Sequence, residues 1–144
     1  MTVARILRQK GSAEVATITA AESVADAAAT LSSKRIGALV VSNDGKSVAG
    51  IISERDVVRW LGREGAGCLK RPVAEVMTAK VMTCGPDDDV AEIMQRMTAG
   101  RFRHMPVLDD GRLAGVISIG DVVKYRMDAL EHEASALTDM IKGY

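Results

Sequence analysis

A short string of residues occurs twice in this chain, first as GIISERDVV and then as GVISIGDVV. Both strings end a longer internal repeat, in which residues 17–45 align with 83–111 and residues 49–58 align with 114–123. The aligned segments share fourteen identical residues in the same order. Repetition on this scale restricts the chain to folds built from two equivalent units of supersecondary structure.

The first copy predicts five elements of secondary structure. Residues 15–19 predict a short strand, and the apolar spacing after Ser23 predicts a helix with Ser23 as its N-cap and Asp26 three residues later. Two aliphatic runs flank an Asn-Asp-Gly turn at 43–45 and predict a hairpin, and a second helix is expected over about 54–61. The predicted order is strand, helix, strand, strand, helix.

The second copy repeats this order. Asp89 is the expected N-cap of its first helix, with Glu92 three residues later, the turn is expected at 110–111, and the last helix over about 119–130. The predicted fold class is α+β, with two β-α-β-β-α units related by a pseudo-twofold axis. Because each sheet is too thin to form a core alone, we expect sheet to pack against sheet, leaving a cleft that occurs in two versions.

The repeat also suggests domain boundaries. Residues 1–62 are expected to form the first domain with an N-terminal extension, and residues 63–72 a linker rich in glycine and basic residues. Residues 73–130 are expected to form the second domain, and residues 131–144 a C-terminal helical extension.

The C-terminal stretch carries apolar residues at helical spacing. The members of this seam are Met127, Leu130, Ala134, Leu137 and Ile141. The seam is shorter than three heptads, so we expect it to extend the last helix rather than to pair on its own. Two partners stay open for the seam, and for Val3, Ile6 and Leu7 near the N-terminus: a second protomer, or the same subunit.

Composition excludes several classes of function. The chain has 19 Lys and Arg against 19 Asp and Glu, so no net positive field attracts nucleic acid or an acidic membrane surface. Four aromatic residues leave no row of stacking platforms for single strands. Cys68 and Cys84 stand apart, which argues against a zinc site or a disulfide framework. With no apolar leader and no long apolar run, the protein is expected to be cytoplasmic.

No residue pattern indicates catalysis or metal binding. Ser53 and Ser118 lack the context of a nucleophilic serine, and His132 lacks the second histidine of an HExxH motif. His104 has no second histidine or cysteine near it, and the acids at 87–89 are better explained as partners of a helix N-terminus. We therefore expect neither an enzyme nor a metal site.

The Ser and Asp of the repeated string have two explanations, which can coexist. Ser53 with Asp56, and Ser118 with Asp121, have the spacing of a capping box that satisfies free backbone N–H groups. The same geometry suits a nucleotide, because a helix N-terminus attracts phosphate and a carboxylate one turn in can accept both ribose hydroxyls. A purine would also need an apolar slot. Strand ends supply the candidates Ile18, Met82 and Pro106.

The complete pattern resembles a tandem pair of cystathionine-β-synthase (CBS) domains, the arrangement called a Bateman module. The resemblance is carried by the element order, by the two Gly-aliphatic-aliphatic-Ser-x-x-Asp strings and by HMPVLDDGRLAGVIS before the second, and it covers about residues 4 to 130. It implies the fold of that family. Stand-alone members of the family bind AMP, ADP or ATP, and sometimes NAD(H) or S-adenosylmethionine, in two clefts between the domains, and are usually homodimers without catalysis.

The resemblance therefore implies an adenosine-nucleotide sensor with no catalytic cofactor, acting in trans on a partner protein that the sequence does not identify. Nucleotide occupancy would bridge the two domains and change their relative angle, which the partner would sense. The alternative function is an interaction scaffold whose clefts bind no ligand and whose Ser and Asp residues only cap helices.

Carried over to this sequence, the family's nucleotide site falls on two sets of residues. The ribose carboxylates are Asp56 and Asp121, and the hydroxyls beside the phosphates are Ser53 and Ser118. The other residues expected in the Asp56 cleft are Arg55, Met82, Thr83, Arg103 and His104. Those expected in the Asp121 cleft are Thr17, Ile18, Gly37 and Ala38, and Pro106 completes the adenine-binding set.

The two clefts are not expected to be equivalent. Arg55, Arg103 and His104 are available for phosphate in the Asp56 cleft, whereas the corresponding places of the Asp121 cleft hold Gly120, Gly37 and Ala38. We therefore predict that a polyphosphate binds beside Asp56, and that the Asp121 cleft takes a monophosphate or no ligand.

Overall fold

The computed structural model describes residues 2–11 and 15–143. The elements of its first part are α1 (Val3–Lys10), β1 (Thr17–Ile18), α2 (Val24–Lys34), β2 (Ala38–Val41), β3 (Gly50–Ser53) and α3 (Glu54–Glu64). The elements of its second part are a 3-10 helix (Gly65–Lys70), α4 (Val73–Val76), α5 (Val90–Gly100), β4 (His104–Asp109), β5 (Arg112–Ser118) and α6 (Ile119–Lys142).

Each half contains one small sheet, which has three strands in the first half and two in the second. In the first half, β1 runs parallel to β2, and β2 pairs antiparallel with β3. In the second half, β4 pairs antiparallel with β5, and Cys84 forms a parallel bridge to Val107 in the place that corresponds to β1. The β-α-β-β-α order predicted from the repeat is therefore confirmed, with the first strand of the second half reduced to the single bridge at Cys84.

Both first helices of the repeat begin at the predicted caps. The side chain of Ser23 accepts a hydrogen bond of 3.1 Å from the backbone N–H of Asp26, and that of Asp89 accepts one of 3.4 Å from Ala91. These contacts satisfy N–H groups that the helix itself leaves without a partner.

The two hairpins differ, although similar turns were predicted for them. Asp110 and Gly111 both adopt positive φ angles, 52° and 78°, and form the two-residue turn between β4 and β5. In the first half, β2 ends at Val41 and β3 begins at Gly50, so the turn predicted at 43–45 lies within a longer loop.

Asp44 explains why this loop is longer than predicted. Its carboxylate accepts backbone hydrogen bonds of 2.8 Å from Ser47 and from Lys46, which fold the loop around the side chain. These hydrogen bonds, with others from the Ser47 and Ser42 hydroxyls, lower the pKa of Asp44 far below its ordinary value.

The segment predicted as a linker is ordered helical structure. The helix α3 continues to Glu64, and the following 3-10 helix buries Cys68 completely. Arg71 then bonds to Glu64 at 2.6 Å and to Glu75 at 2.7 Å. The glycines of this stretch did not prevent a helix because a buried side chain and these two ion pairs hold it against the first half.

Two short helical segments are exchanged between the halves. The helix α1 precedes the first half in the chain, yet Val3 and Ile6 lie in the core of the second half and are 0% and 2% exposed. The helix α4 precedes the second half, yet Val73 and Val76 lie in the core of the first half. Of the two partners left open for Val3 and Ile6, the structure shows the same subunit.

The exchanged segments make matching contacts. The backbone N–H of Val3 donates to the carbonyl of Asp88 at 3.0 Å, and that of Val73 donates to the carbonyl of Glu22 at 2.7 Å. Aligning residues 3–10 with 73–80 places Val, Ala and Lys on identical residues at the first, second and last positions. The repeat therefore begins at Val3, earlier than predicted. The first copy hides this because its connection to the first strand is longer.

Each sheet also buries a residue on the face that points away from its own helices. Val40 and Pro106 are buried, but neither belongs to the core cluster of its own half. Since successive side chains of a strand point to opposite faces, both project away from their own helices and toward the junction of the halves. This agrees with the expected packing of sheet against sheet.

The C-terminal residues continue the last helix, as predicted. The helix α6 runs without a break from Ile119 to Lys142. Its apolar seam is exposed, with Met127 57%, Leu130 60% and Leu137 55% accessible. None of the described helices combines the length and the apolar character that crossing a bilayer requires.

The repeated glycines Gly50 and Gly115 provide a test of the exchange. A Cβ at Gly50 would lie 2.7 Å from the backbone oxygen of Thr78, whereas one at Gly115 would lie 2.7 Å from the flexible end of the Leu7 side chain. We expect Gly50→Ala to lower the free energy of unfolding by about 1–3 kcal/mol, and Gly115→Ala by less, because backbone cannot move aside. Urea denaturation of both variants measures the difference.

Gly62 supplies the matched control. It lies in α3 with open space around its Cα, so Gly62→Ala should raise the free energy of unfolding by up to about 1 kcal/mol through helix propensity alone. Equal losses for Gly50→Ala and Gly115→Ala would contradict the close approach of the Thr78 backbone to β3.

Candidate ligand-binding clefts

Two clefts lie at the junction of the halves. The Asp56 cleft has a volume of about 410 Å³ and combines the start of α3 with residues 80–82 and 100–104. The second cleft, about 620 Å³, combines the end of α1 with residues 35–38 and with β5 up to Ser118. Both volumes fall in the range of small-molecule sites, about 300–1,000 Å³.

A complete capping box begins the helix beside each cleft. The backbone N–H of Ser53 donates to Oδ2 of Asp56 at 2.9 Å, and the N–H of Asp56 donates to the Ser53 hydroxyl at 3.3 Å. Ser118 and Asp121 make the same pair of bonds, at 2.9 Å and 3.1 Å. The capping explanation of these residues is therefore correct. It does not exclude a ligand, because the capping bond occupies Oδ2 and leaves Oδ1 of each carboxylate.

The carboxylate of Asp56 is buried, with 7% of the residue exposed. Its Oδ1 lies 3.6 Å from Nη1 of Arg59, one turn further along α3. This separation is an ion pair rather than a hydrogen bond, so Oδ1 keeps the capacity to accept hydrogen bonds from a sugar.

The carboxylate of Asp121 has a different partner. Nζ of Lys10 donates to Oδ2 of Asp121 at 2.8 Å and to the carbonyl oxygen of Val116 at 2.9 Å. Burial by itself raises the pKa of Asp121, but the hydrogen bonds from Lys10 and Ser118 outweigh burial and hold the pKa below its ordinary value. Asp121 is therefore ionised at neutral pH and paired with Lys10.

The Asp56 cleft is strongly basic. Its lining includes three cations that the sequence analysis did not assign to a site, Arg59, Lys80 and Arg101, in addition to the predicted Arg55 and Arg103. Its acids are Glu54 and Asp56. The cleft therefore carries an excess of positive charge, which favours an anionic ligand.

Arg35 and Arg101 occupy the same place in the two clefts. Each ends the first helix of its repeat in the left-handed conformation, with φ of 53° and 56°, a position that usually belongs to Gly or Asn. Each lines the cleft of its side. A signal for this role was present in the sequence, because the two arginines are identical residues of the repeat.

His104 lies between the clefts and lines both. Burial lowers its pKa below the ordinary value, although the charges of Glu54 and Asp121 oppose that shift. His104 is therefore neutral at neutral pH. Its ring packs against Gly37, where a Cβ would lie only 3.1 Å from Cε1 of His104.

Most of the residues predicted for the Asp56 cleft come together there. Ser53, Arg55, Asp56, Met82, Arg103 and His104 all line it. Thr83 and Pro106 lie outside the lining of both clefts. Pro106 was predicted to contact adenine, but the alternation of β4 buries it at the junction of the sheets.

Fewer of the predicted residues reach the second cleft. Ser118, Gly37 and Ala38 line it, whereas Asp121 lies behind Lys10, and Thr17 and Ile18 are outside both linings. Ile18 is 3% exposed and packs in the core of the first half, because β1 turns this side chain toward α2. Lys10, which sequence reasoning did not assign to a site, stands in this cleft instead.

The chain matches the CBS domain family twice, over residues 3–63 and 73–128. It belongs to the CBS domain family. Both matches start at the exchanged segments, which agrees with the beginning of the repeat at Val3. The chain is a tandem CBS pair, as the resemblance predicted.

Relatives and solved structures support this assignment. The chain is 35% identical to the mitochondrial CBS domain-containing protein CBSX3 of Arabidopsis thaliana, over 99% of this chain and 72% of that protein. The CBS-domain containing protein ATU1752 from Agrobacterium tumefaciens has a TM-score of 0.83 and 45% identity, covering 88% of this chain and 99% of that one.

Two other CBS structures contain adenosine compounds. The CBS domain pair of protein MJ0100 was crystallised with 5′-methylthioadenosine and S-adenosyl-L-methionine, and matches with a TM-score of 0.76 and 25% identity over 87% of this chain and 98% of that one. Protein PAE2072 from Pyrobaculum aerophilum was crystallised with AMP, and shares the fold at a TM-score of 0.74 and 23% identity over 84% of this chain and 89% of that one.

The Lys10–Asp121 contact of this CBS pair predicts a change in titration. In Lys10→Met, burial of Asp121 would remain while its strongest hydrogen bond is lost, so the carboxyl pKa should rise. A lowered carboxyl pKa stabilises the fold above the unfolded value of about 4, and this contribution is lost as the pH falls through the folded value. The variant should therefore lose part of that stabilisation at neutral pH.

Carboxyl ¹³C chemical shifts of Asp121 followed from pH 7 to pH 2 measure the effect. Lys80→Met is the matched control, because Lys80 lies in the other cleft and should leave the pKa of Asp121 unchanged. An unaltered pKa in Lys10→Met would contradict the ion pair.

Proposed function

We propose that this CBS pair is a non-enzymatic regulatory module that binds adenosine nucleotides in its two clefts. The observation that carries the proposal is the Asp56 cleft, in which a buried ribose-type carboxylate faces a convergence of arginine and lysine side chains. The AMP and S-adenosylmethionine complexes of PAE2072 and MJ0100 support an adenosine compound as the ligand.

The two ends of a nucleotide match different parts of the Asp56 cleft. Oδ1 of Asp56 can accept ribose hydroxyls, and charge-assisted hydrogen bonds of this kind contribute about 1.5–3 kcal/mol each. The start of α3 and the side chains of Arg55, Arg101 and Arg103 can hold phosphates. This excess of cations supports a polyphosphate such as ATP or ADP over a neutral ligand.

A nucleotide in either cleft would contact both halves at once. Bound ligand would therefore stabilise one relative angle of the halves, and a partner protein with different affinity for the two angles would respond to occupancy. NAD(H) fits the same chemistry, since it carries an adenosine ribose and a pyrophosphate.

The proposal predicts unequal effects of the two aspartates on ATP binding. We expect Asp56→Ala to weaken ATP binding at least tenfold, because two ribose hydrogen bonds lose their acceptor, and Asp121→Ala to change it by less than about threefold. Isothermal titration calorimetry of each variant with ATP, AMP and NADH measures both affinity and the number of sites.

Asp26→Ala is the matched control. Asp26 is also an acidic residue three positions after a serine N-cap, but it lies on the exposed side of α2 and outside both cleft linings. Its replacement should leave nucleotide affinity unchanged. Equal losses for Asp56→Ala and Asp121→Ala would contradict the assignment of ATP to the Asp56 cleft.

An interaction scaffold is the second candidate function. The complete capping boxes favour it, because they account for Ser53, Asp56, Ser118 and Asp121 without a ligand. A nucleotide at about 100 times its dissociation constant adds roughly 2.7 kcal/mol of stability. A thermal-shift series with AMP, ADP, ATP, NADH and S-adenosylmethionine that gives no stabilisation would therefore favour the scaffold and exclude the sensor.

A homodimer is part of the proposal. Large apolar side chains are exposed along the two helices that follow the repeated string, and they are Val58, Leu61, Val123, Met127, Leu130 and Leu137. Exposed apolar side chains along the face of a helix favour association. A second copy that pairs these helices with its own would cover them.

We expect Leu130→Lys to shift the protein from dimer to monomer, because a charge in the centre of an apolar contact opposes its burial. Sedimentation velocity over a concentration series measures the shift. His132→Lys is the control. At 3.6 residues per turn, His132 is an exposed residue on the side of α6 opposite Leu130. Dissociation by both variants, or by neither, would contradict an interface on the seam.

A further inference from the structure

The exchanged segments bring one lysine to each cleft, but the two lysines are used differently. Lys10 ends α1 and Lys80 follows α4 at the equivalent position of the repeat. Lys10 is bonded to the carboxylate of Asp121, whereas the carboxylate of Asp56 has Arg59 as its ion-pair partner. In the second cleft, the ammonium of Lys10 is therefore already bonded to the Asp121 carboxylate that a ribose would need.

The ammonium of Lys10 still has bonding capacity. It has three N–H groups, and its acceptors within residues 2–11 and 15–143 are Oδ2 of Asp121 and the carbonyl of Val116. The side chain is 40% exposed, so it can reorient without disturbing the buried part of α1. Val3 and Ile6 keep the helix in place while the end of the lysine moves.

A ligand that uses Asp121 must compete with this lysine. Asp121 is not among the residues that line this cleft, whereas Lys10 is, so a ribose diol reaches the carboxylate only when the ammonium moves aside. Displacing the ammonium breaks its hydrogen bonds to Asp121 and to the Val116 carbonyl, which costs free energy. A phosphate on the ligand removes that cost, because it pairs with the ammonium that the sugar has displaced.

We propose that Lys10 is the specificity determinant of the second cleft: it admits adenosine compounds that carry an anionic phosphate, and it excludes neutral nucleosides and cationic sulfonium compounds. This inference rests on the proposed nucleotide function. Arg35 lies in the same lining and strengthens the preference for an anion, while no carboxylate among the described lining residues offsets it.

The test compares AMP with adenosine in an Asp56→Ala background, where the Asp56 cleft is weakened. We expect AMP to bind at least tenfold more tightly than adenosine, and Lys10→Met to reduce this ratio to less than about threefold. Changes in both affinities should lower the ratio. Adenosine binds more tightly once Asp121 is released, and AMP loses its cation. Lys10→Arg should restore the ratio, and S-adenosylmethionine should behave as adenosine does.

Lys124→Met in the same background is the matched control, because Lys124 is exposed on α6 and lies outside both cleft linings, and it should leave the ratio unchanged. A ratio that does not respond to Lys10→Met, or an equal loss for AMP and adenosine, would overturn the inference. If the wild-type protein binds AMP but the Asp56→Ala background binds neither compound, the inference fails and the proposed function stands. If the wild-type protein binds no adenosine compound, both fail.

Discussion

The exchange of α1 and α4 between the halves is the constraint on which the rest of the structure depends. Val3 and Ile6 complete the core of the second half, and Val73 and Val76 complete the core of the first. Each half therefore buries apolar surface that the chain supplies from outside its own repeat unit. This arrangement fixes the halves relative to one another, and it brings the ends of both segments to the clefts at their junction.

Two similar halves thus form two clefts that differ from one another. The capping boxes, the left-handed arginines and the glycines that admit the exchanged segments occur in both copies. The differences between the copies include side chains that set the charge of the clefts, with Arg55 against Gly120 and Arg103 against Gly37. Substitutions at the rim change electrostatics without disturbing the core, so one fold can hold a strongly basic cleft and a less basic one.

The predictable features were those decided by local chemistry or by repetition. The element order, the caps at Ser23 and Asp89 and the tight turn at 110–111 follow from short patterns that each contain their own physical reason. The loop at 42–49 was not predictable in the same way, because the carboxylate of Asp44 competes with the hairpin for backbone N–H groups.

The site was predictable in part for a similar reason. The Ser-x-x-Asp strings and the basic residues before β4 identified much of the Asp56 cleft. Ile18 and Pro106 lie outside both cleft linings, because the face of a strand that turns inward depends on what packs against it. The exchanged segments were missed, since three identical residues carry little signal where the two copies differ in length.

The sequence by itself determined that the chain is a duplication, which elements each copy forms, and that Ser and Asp stand at the start of the last helix of each copy. The duplication follows from repetition along the chain, and the other two outcomes depend on spacing within a few residues. Only the tertiary structure decided which half receives each exchanged segment. It also decided that Lys10, rather than the strand with Thr17 and Ile18, faces Asp121. The reason is distance along the chain: Lys10 and Asp121 are 111 positions apart. Such a contact arises from packing alone.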